Sequence, residues 1–307
     1  MLRRFAFMAV AALVIPLAAC SGGTKSNSST TTTTTTTQSS PGATAAASPA
    51  GSPAAAASAA AGATGNITAA GSTALLPLVK QSAQDYQANH SSVKISVSGG
   101  GSRVGITQAA QKAVDIGNSD IPAPDHPELV DHQVAVVPFA VVVNPQAGVK
   151  NLTTAQIRGI FSGKITNFNQ AGGANQAITI INRPRSSGTR AVFVQKIMNG
   201  QQPAETGLTQ DSSGTVATMV GQTPGAISYV ALGYVKPGQQ VPVSIDGTSP
   251  TPANVESGKY PFWSFEHMLT NGQPSAAVAD FINYVKTDNS LLTKLGFLPV
   301  SAMRVTR

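Results

Sequence analysis

One cysteine and four histidines in 307 residues are too few for a disulfide framework, a cysteine-built zinc site or a histidine-rich metal centre. Charge is scarce as well, at 11% of residues, and aromatics make up 5%. The deficit is uneven. Residues 21–65 hold one charged side chain, Lys25, no aromatic, and eight consecutive threonines, Thr30–Thr37. Such a Ser/Thr/Ala/Gly/Pro tract buries too little apolar surface to offset backbone entropy and reads as a disordered tether. The remaining 242 residues suffice for one large domain or two smaller ones. Of the formal charge of +7, Arg3, Arg4 and Lys25 lie outside that part, which therefore carries 17 basic against 13 acidic side chains, or +4. That is not a nucleic-acid-binding surplus.

Residues 1–20 read as an address. Arg3 and Arg4 precede an apolar stretch, Phe5–Ala19, which is too short for a comfortable membrane span of roughly 20 residues and fits a secretory signal. It ends Leu17-Ala18-Ala19-Cys20, resembling a bacterial lipobox whose cysteine is acylated. The expectation is a lipoprotein signal peptide ending at Cys20, a tether over 21–65, and a folded part on the extracytoplasmic face of the cell membrane.

Within the folded part, strands are expected at Ile67–Ala69, Val93–Val97, Val114–Gly117, Val134–Val143, Ala177–Asn182 and Ala226–Val230. Helical spacing falls between them: Ala74–Asn89, Arg103–Ala113, Thr153–Phe161, Thr189–Met198, Thr215–Gln222 and, near the C-terminus, Pro274–Lys286. Strands separated by helices predict an α/β architecture with mainly parallel sheets. The nearly continuous apolar run Val134–Val143 fits a strand buried on both faces.

Three loops, Gly71-Ser72-Thr73-Ala74, Gly101-Ser102-Arg103 and Ser186-Ser187-Gly188-Thr189, each follow an expected strand and open an expected helix. A helix N-terminus presents unpaired N–H groups and about half a positive charge. Small residues let an anion approach, and hydroxyls add donors. One such loop is an ordinary cap; three at the carboxyl ends of strands suggest a shared anion site. Arg183 adds a planar, charged fork. Asp120 is the oddity, because an ionised carboxylate only accepts hydrogen bonds. Beside an anion it demands a ligand that still carries a proton, which phosphate does and sulfate does not.

These segments, with Asp115-Ile116-Gly117-Asn118-Ser119-Asp120, Asn182–Arg190 and Pro224-Gly225-Ala226-Ile227-Ser228-Tyr229, resemble the substrate-binding protein of the high-affinity phosphate ABC transporter over essentially all of 66–307. The resemblance implies a type II periplasmic-binding-protein fold, with two α/β lobes joined by crossing hinge segments and closing over one phosphate. It places phosphate contacts on Ser72, Thr73, the Ala74 amide, Ser102, Asp120, Arg183, Ser187, Gly188 and Thr189. It implies no catalytic residue, metal or cofactor, a monomer, and permease subunits of an ABC importer as partners. The lobes are expected at 66–143 with 237–307, and at 144–236. Some family members carry a carboxylate two residues after the site arginine; Arg185 stands there in this chain, and Arg103 occupies a position where a small residue is common.

Other features take plainer readings. Asp211-Ser212-Ser213-Gly214-Thr215 reads as a helix cap, although it echoes the Ser187 loop. His90, His126, His132 and His267 show no ligand spacing, and Trp263 and Phe265 read as lobe packing. The competing functions are binding of another tetrahedral oxyanion and a phosphatase, the latter without a nucleophile elbow or metal cluster to support it.

Overall fold

The computed structural model describes residues 65–305; the expected signal, Cys20 and the tether lie outside them. In chain order the first elements are β1 (Gly65–Gly71), α1 (Leu76–Asn89), β2 (Val93–Ser98), α2 (Ser102–Ala110), β3 (Ile116–Ser119) and β4 (Leu129–Val143). Then come β5 (Asn151–Leu152), α3 (Thr154–Phe161), β6 (Thr179–Asn182), α4 (Gly188–Lys196), β7 (Leu208–Thr209), α5 (Ser213–Gln222) and β8 (Ala226–Ala231). The chain finishes with β9 (Val241–Pro242), β10 (Ser244–Ile245), α6 (Pro252–Glu256), β11 (Trp263–Asn271), α7 (Ala276–Thr287) and α8 (Asn289–Lys294).

The expected elements all form, with shifted ends that have local causes. Helix α1 starts at Leu76 rather than Ala74, because the Ser72 hydroxyl takes the N–H groups of Ala74 and Leu75 and holds them in a turn. Helix α2 stops at Ala110 rather than Ala113, short of Lys112, whose φ of 56° is left-handed. Helix α3 is capped by Thr153, which with Gln156 forms a reciprocal capping box.

The sheet runs in the order β2-β1-β3-β11-β4-β8-β6-β7, with β9 also on β4. Its flanks are parallel, as β1 with β2 and β3, and β6 with β7 and β8. Its middle is not. Strand β11 lies antiparallel to both β3 and β4, and β8 lies antiparallel to β4, so the sheet is mixed where mainly parallel pairing was expected. Strand β4 is also longer than its apolar run. Its first residues, Leu129–Gln133, are drawn into the sheet by the antiparallel partner β11.

Strand β4 changes partner along its length. Leu129–Pro138 pair with β11, whereas Phe139–Val143 pair with β8. At the same level the Phe139 N–H donates to the Phe262 carbonyl, so the chain passes this point twice in opposite directions. The segment after residue 237, expected to join the first lobe, begins by pairing on the far side of that level. Val241–Pro242 pair with Val142–Val143, and Ser244–Ile245 pair with Asn151–Leu152.

Behind the loops lies an aromatic cluster. Phe193 of α4 stacks on Tyr229 of β8 at 4.1 Å and meets Phe161 at 4.7 Å and Phe262 at 5.6 Å. Trp263 and Phe265, 5.4 Å apart and edge to face, are packed against this core, as expected. Because Phe193 sits one turn beyond Gly188–Thr189, its packing sets where that helix end points. Phe193→Ala is expected to cost about 3–5 kcal/mol of unfolding free energy, read from urea melts followed by far-UV circular dichroism; a cost below about 1 kcal/mol would show that the cluster is not the anchor of α4.

Candidate functional site

Each loop approaches the centre because its glycine admits a neighbour. Gly71, at φ 135°, leaves the Ser72 N–H free to reach the Asn118 carbonyl at 2.8 Å, which joins the end of β1 to the end of β3. Gly188 faces the Ser102 side chain so closely that any Cβ would collide with it. The first turn of α4 can therefore touch the first turn of α2.

Asp120 lies at the meeting point, 1% exposed. One carboxylate oxygen accepts the Ser72 hydroxyl and the other accepts the Thr189 hydroxyl at 2.8 Å. Its backbone N–H donates to Ser102 Oγ at 2.9 Å, and its carbonyl accepts from Ser264 Oγ at 2.8 Å. Ser72 Oγ also accepts from the Ala74 N–H at 3.0 Å. Ser187 caps α4, accepting from the Arg190 N–H at 3.2 Å.

Arg183 is equally buried, at 1% exposed. Its Nε donates to the Gln210 carbonyl at 3.1 Å and its Nη2 to the Asp211 carbonyl at 2.6 Å. The same guanidinium donates to Ser213 Oγ at 3.2 Å and to Thr73 Oγ1 at 3.0 Å. Carbonyls and hydroxyls thus hold the arginine in place of a carboxylate two residues on. Arg185 in that position is exposed and pairs with Glu205 at 3.3 Å. Burial pulls the Arg183 pKa down from its ordinary value, against the opposing attraction of Asp120.

All nine residues expected at the site, Ser72, Thr73, Ala74, Ser102, Asp120, Arg183, Ser187, Gly188 and Thr189, are brought together, and every side chain among them is at most 7% exposed. Hydrogen bonds close the two sides on each other: Thr189 to Asp120, Arg183 to Thr73, and the Tyr234 hydroxyl to the Thr73 carbonyl at 2.6 Å. Arg103 adds a rim contact, its N–H donating to the Ser186 carbonyl and its Nε to the Arg185 carbonyl, both at 3.1 Å. Beside this rim Arg103, Arg185 and Arg190 line an open cavity of about 490 Å³. No group of His, Cys, Asp or Glu that could hold a metal occurs among the described residues.

Two contributors were not singled out from the sequence. The loop expected to be a cap does cap α5, through Ser212 accepting from the Thr215 N–H, but it also supplies Ser213 and the Asp211 carbonyl to Arg183. Its resemblance to the Ser187 loop was the available signal. The other is Glu266, fully buried on β11 and across from Asp120, one step beyond the pair His267–Ser119. Only an acid inside an otherwise mostly buried strand could have flagged it.

A family model described as a PBP superfamily domain matches residues 22–289. The chain is 44% identical over 253 residues to the phosphate-binding protein PstS of Bacillus subtilis, covering 80% of this chain and 84% of that one. A solved ABC-type phosphate transport receptor from Vibrio cholerae is similar at 27% identity and a TM-score of 0.63, covering 76% of this chain and 99% of that one. A Clostridium perfringens structure with bound phosphate shares the fold at 24% identity and a TM-score of 0.72, covering 77% of this chain and all of that one. The chain belongs to the PBP superfamily and, within it, to the PstS family of phosphate-binding proteins.

Burial first, then the charge of Asp120, push the Glu266 pKa well above its ordinary 4.5. A carboxyl group with a raised folded-state pKa contributes stability that is complete below the unfolded value and is lost as pH rises through the folded one. Glu266→Gln cannot ionise and escapes that loss. Its melting temperature relative to wild type is expected to climb as pH rises above about 4.5, measured by calorimetric scans from pH 4 to 9. A difference independent of pH would mean that Glu266 is not buried as a neutral acid.

Proposed function

We propose that this protein is a solute-binding protein that captures inorganic phosphate outside the cytoplasm and hands it to the permease subunits of an ABC importer. In this reading Cys20 carries the lipid that holds it at the outer face of the cell membrane, and residues 21–65 give it reach. The protein acts as a monomer and has no turnover.

The observation that carries the reading is Asp120, buried among donors. Hydroxyls of Ser72, Ser102 and Thr189, helix N-termini and the Arg183 guanidinium suit a tetrahedral oxyanion. Asp120 suits an oxyanion that retains a proton, because a fully deprotonated one would face it acceptor to acceptor. Family membership points the same way.

The mechanism is closure. We read the lobes as residues 65–138 with 263–305, and residues 139–262, dividing where β4 exchanges β11 for β8. This replaces the division expected at residues 143 and 237. Ser72, Thr73, Ser102 and Asp120 then stand on one lobe, and Arg183, Ser187, Gly188, Thr189 and Ser213 on the other. Phosphate favours the closed form to the extent that it binds that form more tightly than the open one. The direct bonds from Thr189 and Arg183 across the cleft are those a ligand between the lobes would share or replace.

Calorimetry on the whole protein tests the reading. Phosphate is expected to bind tightly and sulfate weakly. Asp120→Asn, which can donate as well as accept, is expected to narrow that preference by about tenfold to a hundredfold. Heat with sulfate or molybdate but none with phosphate would overturn the ligand assignment, and unchanged preference in Asp120→Asn would overturn the role of Asp120. Steady hydrolysis of p-nitrophenyl phosphate would instead make the protein an enzyme.

A further inference from the structure

Two acids are buried among the described residues, Asp120 and Glu266, and one step beyond the antiparallel pair His267–Ser119 they stand across from each other between β11 and the end of β3. Asp120 has a hydroxyl donor on each oxygen and the positive field of Arg183. Glu266 has neither: no N–H or O–H donor reaches either of its oxygens.

The surroundings of Glu266 offer no counter-charge. From β4, Ala135 is its pairing partner, while Asp131 and His132 are engaged with His267 and Thr270. Just past the end of β3 comes Asp120 itself. From α2 the only charged side chain is Arg103, which is spent on the Arg185 carbonyl at the rim. The Tyr234 hydroxyl donates to the Thr73 carbonyl and not to Glu266. Two residues before Glu266, on the same face of β11, Ser264 donates to the Asp120 carbonyl and fixes the strand against that residue.

Two carboxyl groups in contact are acceptor against acceptor unless one of them holds a proton. A buried carboxylate without a partner costs so much that it takes up a proton instead. Hydroxyl donors already reach both oxygens of Asp120 and none reaches those of Glu266, so Glu266 is the one of the two with room for the proton.

We propose that Glu266 is a positioning and specificity residue of the oxyanion site: as a neutral carboxylic acid it donates a hydrogen bond to Asp120 and holds that carboxylate ionised and oriented toward the ligand's proton. The proposal rests on the reading of Asp120 given above. A carboxylate offers roughly four lone-pair sites. Ser72 and Thr189 hold one on each oxygen, and Glu266 takes a third. The count leaves room for a ligand with one proton to give, and the third bond ties the tilt of Asp120 to a sheet strand rather than to a loop.

Two variants and two readouts test this. Glu266→Gln keeps a neutral donor, and Glu266→Met keeps the volume without one. Infrared difference spectra between wild type and Glu266→Gln at neutral pH, without ligand, are expected to show the C=O stretch of a protonated carboxyl in wild type. A carboxylate signature there would overturn the proposal. In calorimetry with phosphate and sulfate, Glu266→Gln is expected to keep both affinity and preference within a few-fold. Glu266→Met is expected to lose preference by about tenfold or more. Phosphate binding that tightens about tenfold in Glu266→Gln would show that a negative charge had been removed, and unchanged preference in Glu266→Met would show that the donor is idle; either result refutes the proposal. A wild type that binds no phosphate would sink the functional reading and, with it, the part of Glu266 in specificity. The infrared readout still decides where the proton lies, so the two failures are told apart.

Discussion

A carboxylate buried where four chain segments meet is the constraint around which the rest is arranged. A carboxyl group taken out of water must be supplied with hydrogen-bond partners. Hydroxyl donors come from just past β1 through Ser72, from α4 through Thr189 and from β11 through Ser264, while Ser102 of α2 accepts from the Asp120 N–H. Two of these bonds go to its carboxylate and two to its backbone. The glycines at 71 and 188 are consequences of that crowding, since only a residue without Cβ lets the segments approach. Arg183 answers the same demand from the other side of the cleft, its own charge held by carbonyls and hydroxyls rather than by a second acid.

The large-scale plan follows from β4. One strand that pairs with β11 over its first part and with β8 over its last makes the two sides of the cleft parts of one sheet. The return of the chain at Phe262 and Trp263 sits at the same level. In the closure proposed for this protein, the two sides move about that level while each keeps its own pairing. The bonds from Thr189, Arg183, Tyr234 and Arg103 hold it shut.

What could be read from the chain was what is local. Glycine followed by a hydroxyl residue between a strand and a helix marks Ser72, Ser102 and Ser187, and their convergence follows from the topology of parallel strands. Asp120 stood out because its chemistry clashed with its neighbours. Strand β11 did not stand out: Trp263-Ser264-Phe265-Glu266 alternates for four residues only, before His267 adds a second polar residue in succession, and the irregularity in its pairing there leaves Val134 of β4 as the extra residue. With β11 hidden, the mixed centre of the sheet, the second chain crossing and Glu266 were hidden too. Ser213 was read as part of a cap, and its loop does cap a helix. Its second task depends on Arg183 arriving from 30 residues away in sequence, which no local pattern encodes.

In the proposed function one oxyanion sits between the lobes with a proton directed at Asp120. The most direct measurement is a crystal structure of the protein grown with phosphate. Phosphate is expected between the Ser72, Ser102 and Ser187 helix ends, within hydrogen-bond distance of Arg183, with one oxygen facing an oxygen of Asp120. Phosphate found only in the open cavity beside Arg103, Arg185 and Arg190, with the Asp120 cluster still closed on itself, would contradict it.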